Sequence, residues 1–312
     1  MNLSECAALL RERDNVLILT HKRPDGDTLG SAAALCHALR RLGKTAYLYP
    51  NPQITLTYLP FVSDFLAPEG FTPAFTVSAD VAEAGMLSEG FTGSVQLSVD
   101  HHPEKGTGFA ASSLVRTDRA ACGQIIYELI RELCGSVDAV EADLLYIAVS
   151  TDTGCFSYAN TDAAVFQTAA LLAEAGADVP RLSKLLFHTK SRGRVHLEGM
   201  ICASLRHYQD NQLNIAVITL DMLRESGARE EDCEDLAGIA GQVAESRVSV
   251  TVRELGVNRS KISLRTDGSV NATEVCARFG GGGHRMASGC ELMMGPDEAA
   301  ETMLRAVLEV WP

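Results

Sequence analysis

The chain is short of positive charge. Its 312 residues carry 27 lysines and arginines against 40 aspartates and glutamates, a net charge of −13. A protein that grips long nucleic acid usually presents a basic field, and an anionic membrane surface asks for the same sign. The deficit argues against both, so neither long-DNA binding nor a membrane partner is expected. It leaves room for a small phosphorylated substrate drawn in by metal ions and a few arginines. No uncharged apolar run approaches the ~20 residues of a membrane span. The opening Met1-Asn2-Leu3-Ser4-Glu5 has no basic segment leading into an apolar core, so no signal peptide is expected. The nine cysteines include no Cys-x-x-Cys pair, and their number is odd. That argues against a disulfide framework or a zinc ribbon, and scattered thiols fit a reducing cytosol. The expectation is a cytoplasmic protein. There is no internal repeat and no low-complexity tract.

What is present is enough apolar residue, 46%, to build cores, in a length that predicts two domains at roughly 150 residues each. Helices are expected over 3–13, from the loop after residue 27 to Leu42, and over 122–133, 141–148 and 162–175. Strands are expected at 15–20, 45–49, 74–79 and 94–99. The stretch 50–73, rich in proline and aromatics, reads as irregular with one short helix at 61–66. Strands alternating with helices predict a parallel sheet with helices on both faces. Near Pro180 a basic island begins, Arg181 to Arg206, which reads as a partly helical connector. Beyond it come strands at 213–220, 247–254, 261–265 and 290–294, and helices at 230–245, 271–279 and 296–310. The fold class is therefore α/β. A larger parallel-sheet domain spans 1–185, a connector 186–205, and a smaller α/β domain 206–312, with the active site in the cleft between the domains.

The chain is organised around Thr20-His21-Lys22-Arg23-Pro24-Asp25-Gly26-Asp27. This is a tight loop between a buried strand and a helix, and it holds an imidazole and two carboxylates. Carboxylates held close together repel and are costly to desolvate, so the cluster invites a cation. The pattern recurs: Asp80 and Asp100-His101-His102 each follow a predicted strand at once, and Asp152 follows a helix. Ligands in open α/β sheets sit beyond the carboxyl ends of the strands, and that is where these groups fall. Three histidines and five aspartates could hold two divalent metals with a shared carboxylate. Two such ions ~3.5–4 Å apart stabilise the attacking and leaving oxygens of a phosphoryl displacement. Histidine and carboxylate ligands without cysteine favour Mn²⁺ over structural zinc, with other divalent metals allowed.

These residues resemble the DHH phosphoesterases, named for Asp100-His101-His102. His21-x-x-x-Asp25-x-Asp27 with Gly30-Ser31 looks like the family's first motif, and Asp80-Val81-Ala82 its second. Val99-Asp100-His101-His102-Pro103 matches the third, and Thr151-Asp152-Thr153-Gly154-x-Phe156 the fourth. The second domain resembles the DHH-associated domain through Ser263-Leu264-Arg265 and Phe279-Gly280-Gly281-Gly282-Gly283-His284-x-x-Ala287-Ser288-Gly289. One departure is that many relatives carry an arginine shortly after the second-motif aspartate, where this chain reads Glu83-Ala84-Gly85-Met86-Leu87.

The resemblance implies roles. His21 and Asp25 would bind one Mn²⁺, and Asp27, His101 and Asp152 the other, with Asp80 bridging them. His102 would sit beside the scissile phosphate, and Asp100 would orient the neighbouring histidines. Arg265, Gly281, Gly282, Gly283 and His284 would hold the substrate's terminal phosphate and base. Within the family, a two-domain chain most resembles the bifunctional oligoribonuclease and 3′-phosphoadenosine-5′-phosphate phosphatase group. The expected partner is then a short RNA or nucleotide, and a homodimer is an allowed assembly. One alternative is a phosphodiesterase for cyclic dinucleotides or their linear products. Another, of a different class, is a non-catalytic nucleotide-binding regulator, against which the full ligand set argues.

Overall fold

A computed structural model of the protein describes residues 1–103, 108–233 and 236–312. The chain divides into two compact units, Met1–Thr189 and Lys190–Pro312. The first runs α1 (Leu3–Glu12), β1 (Val16–Leu19), α2 (Gly26–Arg41), β2 (Ala46–Leu48), α3 (Leu59–Val62), β3 (Phe75–Ala79), β4 (Val95–Asp100), β5 (Ala110–Val115), α4 (Cys122–Cys134), α5 (Ala139–Asp152), α6 (Ala163–Glu174) and α7 (Val179–Phe187).

The first unit's sheet is parallel throughout, in the order β2-β1-β3-β4-β5. Four consecutive apolar residues make β1, and all four are buried. That is the composition of a strand covered on both faces. Alternation assigns its side chains. Val16 and Ile18 join the main core with the helices, whereas Leu17 and Leu19 face a second cluster. That cluster is closed by Tyr47, Tyr49, Phe71, Leu87 and Phe91. The expectation of helices on both faces therefore needs correction, because one face is covered by aromatic side chains, most of them from irregular segments. The physical reason is that large rings bury enough area to close a sheet face without a regular element.

The strand order sets where a site can lie. From β1 the chain crosses to β2 on one side, and from β3 it crosses to β4 on the other. The adjacent carboxyl ends of β1 and β3 thus form a switch point, the usual crevice for ligands in such sheets. His21 and Asp80 stand just beyond those two ends.

The second unit begins with α8 (Arg192–Ala203), then β6 (Arg206–Tyr208), β7 (Leu213–Ile218), α9 (Leu220–Ser226), β8 (Val248–Gly256), β9 (Arg259–Thr266), α10 (Ala272–Ala277), β10 (Gly282–His284), β11 (Ala287–Leu292) and α11 (Pro296–Leu308). Its mixed sheet is ordered β10-β11-β9-β8-β7-β6, with β7 and β8 parallel and the other neighbours antiparallel. One face packs on α10 and α11. The other packs on Leu197 and Ile201 of α8 and on Leu236, Ile239 and Ala240. The helix expected at 230–245 is instead a pair of 3₁₀ segments, Glu230–Cys233 and Leu236–Gln242. Gly238 and Gly241 weaken an α-helix there, while the spacing of buried Leu236, Ile239 and Ala240 still seats one side on the sheet.

Candidate metal centre

Four segments of the first unit deliver the acidic and imidazole groups. His21 follows β1, and Asp25 caps α2, its carboxylate accepting from the Asp27 and Thr28 amides at 3.0 and 3.2 Å. Asp27 lies in the first turn of α2 and is only 1% exposed. Asp80 follows β3 with φ +58, a left-handed conformation that aspartate tolerates better than most residues. Asp100 ends β4, with His101 and His102 next. Asp152 is the last residue of α5, so it comes from a helix end rather than from the loop beyond it.

These groups fall into ligand sets small enough to share an ion. His21, Asp25 and Asp80 form one set, and Asp27, His101 and Asp152 form another. Asp80 reaches toward both. Its Oδ2 lies 3.7 Å from His21 Nε2, and its Oδ1 lies 3.4 Å from His101 Nε2. His101 Nε2 is 3.8 Å from both Asp27 Oδ2 and Asp152 Oδ2. His21 Nε2 is 3.5 Å from Asp25 Oδ1. His102 sits alongside, with its Nδ1 3.0 Å from Asp100 Oδ1 and 3.4 Å from Asp80 Oδ1.

Hydrogen bonds fix which imidazole nitrogen faces the acids. His21 Nδ1–H donates to the Lys22 carbonyl at 2.8 Å, and His101 Nδ1–H donates to the Arg119 carbonyl at 3.2 Å. A carbonyl can only accept, so each Nδ1 carries the proton and each Nε2 keeps its lone pair in the neutral ring. Metal-binding histidines are commonly oriented this way. His101 Nε2 and Asp80 Oδ1 are buried and have no hydrogen-bond partner. Buried polar atoms without partners are costly, and here they converge with three further carboxylates. The donor set suits a hard or borderline divalent cation.

Among the chain's own groups, electrostatics pull in opposite directions. Burial, then the carboxylates of Asp80, Asp152 and Asp25, raises the Asp27 pKa well above its ordinary range. Burial likewise lifts Asp152 to about 6. Burial would raise Asp80 as well, but His101, His102 and His21 outweigh it and hold Asp80 below the usual carboxylate range. The hydrogen bond to Asp100 and then the nearby Asp80 carboxylate raise His102 to about 10. Packed acids that resist ionisation are what a divalent charge would relieve.

Several supporting residues escape a reading of the sequence. Asp27 accepts from the Cys122 and Gly123 amides at 2.7 and 2.9 Å. Those amides open α4, whose own N-cap residue Ala121 offers no side-chain cap. An uncapped helix start was the available signal. Buried Asn51 donates to the His21 carbonyl at 3.0 Å and to Ser88 Oγ at 3.2 Å. Thr28 Oγ donates to the Ala79 carbonyl at 2.7 Å and receives the His21 amide at 3.4 Å, tying the ends of β1 and β3 together. Lys22 Nζ donates to the Gly85 carbonyl at 2.8 Å, inside the stretch that lacks the arginine of many relatives. Another set, His37, Asp138 and Glu141, also comes close enough to share an ion. There Arg41 already pairs with Glu141 at 2.6 Å and approaches Asp138 at 3.5 Å, so the cationic place is taken.

In the second unit, strand register places Arg265 opposite Ala287, and Ala287 opposite His284. Arg265 and His284 therefore project from the same face, with one strand between them. The glycines have distinct reasons. A Cβ on Gly281 would lie 2.2 Å from the Gly289 carbonyl oxygen, and one on Gly283 would lie 2.6 Å from that of Ala287. Those two glycines let β10 approach β11, whereas Gly282 meets nothing within 4 Å and leaves its backbone accessible.

A parallel-sheet unit with clustered acids and histidines at its switch point, joined to a smaller mixed-sheet unit, is the architecture of a metal-dependent phosphoesterase. Comparison with known proteins is specific. Residues 15–149 match the DHH family N-terminal domain, and residues 211–311 match the DHHA1 domain. The chain is 35% identical over 306 residues to the Thermus thermophilus protein named bifunctional oligoribonuclease and PAP phosphatase NrnA, covering 94% of this chain and 89% of that one. It is 25% identical to the Bacillus subtilis protein of the same name, covering 89% and 90%. A Bacteroides fragilis crystal structure titled as an exopolyphosphatase-related protein superposes with a TM-score of 0.85 over 98% of this chain and 96% of its own, at 22% identity. That likeness speaks for the fold. The chain belongs to the DHH phosphoesterase family and is an enzyme of that family.

Proposed function

We propose that the protein hydrolyses short oligoribonucleotides and 3′-phosphoadenosine 5′-phosphate with the help of two Mn²⁺ ions. The observation that carries the two-ion reading is Asp80, one carboxylate oxygen toward His21 and the other toward His101. One ion would be held by His21, Asp25 and Asp80, and the other by Asp27, His101, Asp152 and Asp80. Bound there, the ions would supply Lewis acidity and charge neutralisation for phosphoryl transfer. His102 keeps its proton through Asp100 and Asp80, so its half-exposed ring can donate toward a phosphate oxygen. Asp100 orients that ring, accepting from both the His102 amide at 2.8 Å and Nδ1. Arg265, the Gly281–Gly283 backbone and His284 would take the terminal phosphate and base. The names of the Thermus and Bacillus relatives support the substrate class. The net charge of −13 supports short substrates, since few phosphates then need a basic partner.

The test is Asp80→Asn. Asparagine also tolerates a left-handed backbone, so the fold should survive. Turnover of a dinucleotide with Mn²⁺ should fall by several orders of magnitude, and calorimetric titration should show weakened binding of both ions. Near wild-type turnover in a folded Asp80→Asn protein would sink the two-ion reading.

A further inference from the structure

Arg23 sits between two members of one ligand set, His21 and Asp25. Its φ is +51, in the left-handed region. That is unfavourable for a long side chain, and Pro24 makes it more so, because a residue before proline is pushed toward extended backbone. The surroundings enforce it. The Arg23 amide donates to Gln53 Oε1 at 2.8 Å, and the Gln53 amide donates in turn to Asn51 Oδ1 at 2.9 Å. Asn51 also grips the His21 carbonyl, and the Lys22 amide donates to the Met86 carbonyl at 2.7 Å. Strain held in place by two other chain segments points to function.

The side chain explains what the strain could serve. Arg23 is exposed, and its guanidinium has no partner among the described residues. The Asp25 carboxylate, two residues away and 56% exposed, does not pair with it. By contrast Arg116 and Arg119, which flank the same unit's acids, are paired with Asp118 and Glu128. An exposed guanidinium two residues from Asp25, left unpaired by the acids of the centre, is available to an anion from outside the chain. Residues two apart lie at most ~7 Å from each other, so Arg23 stands about one nucleotide step from the ligands.

We propose that Arg23 is a phosphate subsite, gripping the internucleotide phosphate next to the scissile one. This rests on the short-oligoribonucleotide reading above. On that reading the metal ligands would take the scissile phosphate, and Arg265 with His284 would take the terminal one. The remaining anion is the phosphate on the other side of the cleaved bond, present in a trinucleotide and absent from a dinucleotide. Arg23 therefore favours substrates longer than two residues.

The experiment compares Arg23→Gly and Arg23→Lys with wild type on 5′-phosphorylated adenylate dimers and trimers. In Arg23→Gly, kcat/KM for the trimer should fall about tenfold more than for the dimer. The plot of log kcat/KM for the trimer against log salt should flatten by roughly 0.7, the share of one phosphate contact on a single strand. Melting temperature should hold or rise, because glycine relieves the backbone. Arg23→Lys should recover part of the trimer rate. Equal losses on dimer and trimer, an unchanged salt slope, or a lowered melting temperature with parallel losses would each overturn the subsite. If wild type cleaves neither substrate with Mn²⁺, the short-oligoribonucleotide reading fails and the subsite with it.

Discussion

Asp152 and Asp27 tie the site to the stability of the chain. The Asp152 pKa stands at about 6 against an ordinary 3.8, and Asp27 is also raised. The folded chain without metal thus holds protons that the unfolded chain releases. The Asp152 contribution is complete below about pH 4 and is lost as pH rises through 6, and the raised Asp27 acts in the same direction. The other shifted groups of the centre change little over that window. Asp80 is ionised in both states above its ordinary value, and His21, His101 and His102 are protonated in both states below about 6.5. With a chelator present, melting temperature should therefore decline from pH 4 to 6 more steeply in wild type than in Asp152→Asn. Saturating Mn²⁺ should reverse the wild-type trend, because ligands must lose their protons to bind. Identical chelated slopes in the two proteins would mean that Asp152 is not strained by its neighbours.

At the scale of elements, the candidate ligands are spaced by helix packing. Asp27 rides on α2 and Asp152 on α5, and the two helices meet at Gly30, where a Cβ would come 2.3 Å from the Leu144 carbonyl oxygen. Gly30→Ala would force them apart, at a cost of about 1–3 kcal/mol for overpacking. Thermal unfolding and Mn²⁺ titration should show lowered stability and weakened affinity together; a stable protein with normal affinity would contradict this role for Gly30. Such contacts also mark how much the sequence could tell. Val16–Leu19 and Phe75–Ala79 were legible as strands because apolar runs followed at once by polar residues have few other readings. The clustering of the acidic and imidazole residues was legible because chemistry and position coincide near those strand ends. β5 was not, since Ser112 and Ser113 interrupt its apolar pattern and it is a half-exposed edge. β10 was hidden because three residues, two of them glycine, carry no strand signal. The amides of Cys122 and Gly123 that hold Asp27 come from ninety-odd positions away, and no local pattern encodes a partner at that distance.

At the scale of the whole molecule, the candidate metal-binding and substrate-binding residues fall in different units of the chain. All eight acidic and imidazole residues of the centre precede residue 153, within the unit Met1–Thr189. Arg265, His284 and the glycine run belong to Lys190–Pro312, which has its own core around Val250, Ile262 and Val275. Each unit buries its own apolar surface, so each should fold without the other. The expectation is that a protein cut after Thr189 keeps the centre and loses recognition. It should bind Mn²⁺ with near-normal affinity and still hydrolyse bis-p-nitrophenyl phosphate slowly, while kcat/KM for a dinucleotide falls by far more. Arg265→Ala in the full chain should reproduce part of that selective fall, roughly ten- to a hundredfold for one charge-assisted phosphate contact, with metal content unchanged. Circular dichroism and metal analysis would establish that the shortened protein is folded and loaded. If it is, and both substrates then fall to the same degree, the second unit contributes to the chemistry itself and not to recognition alone.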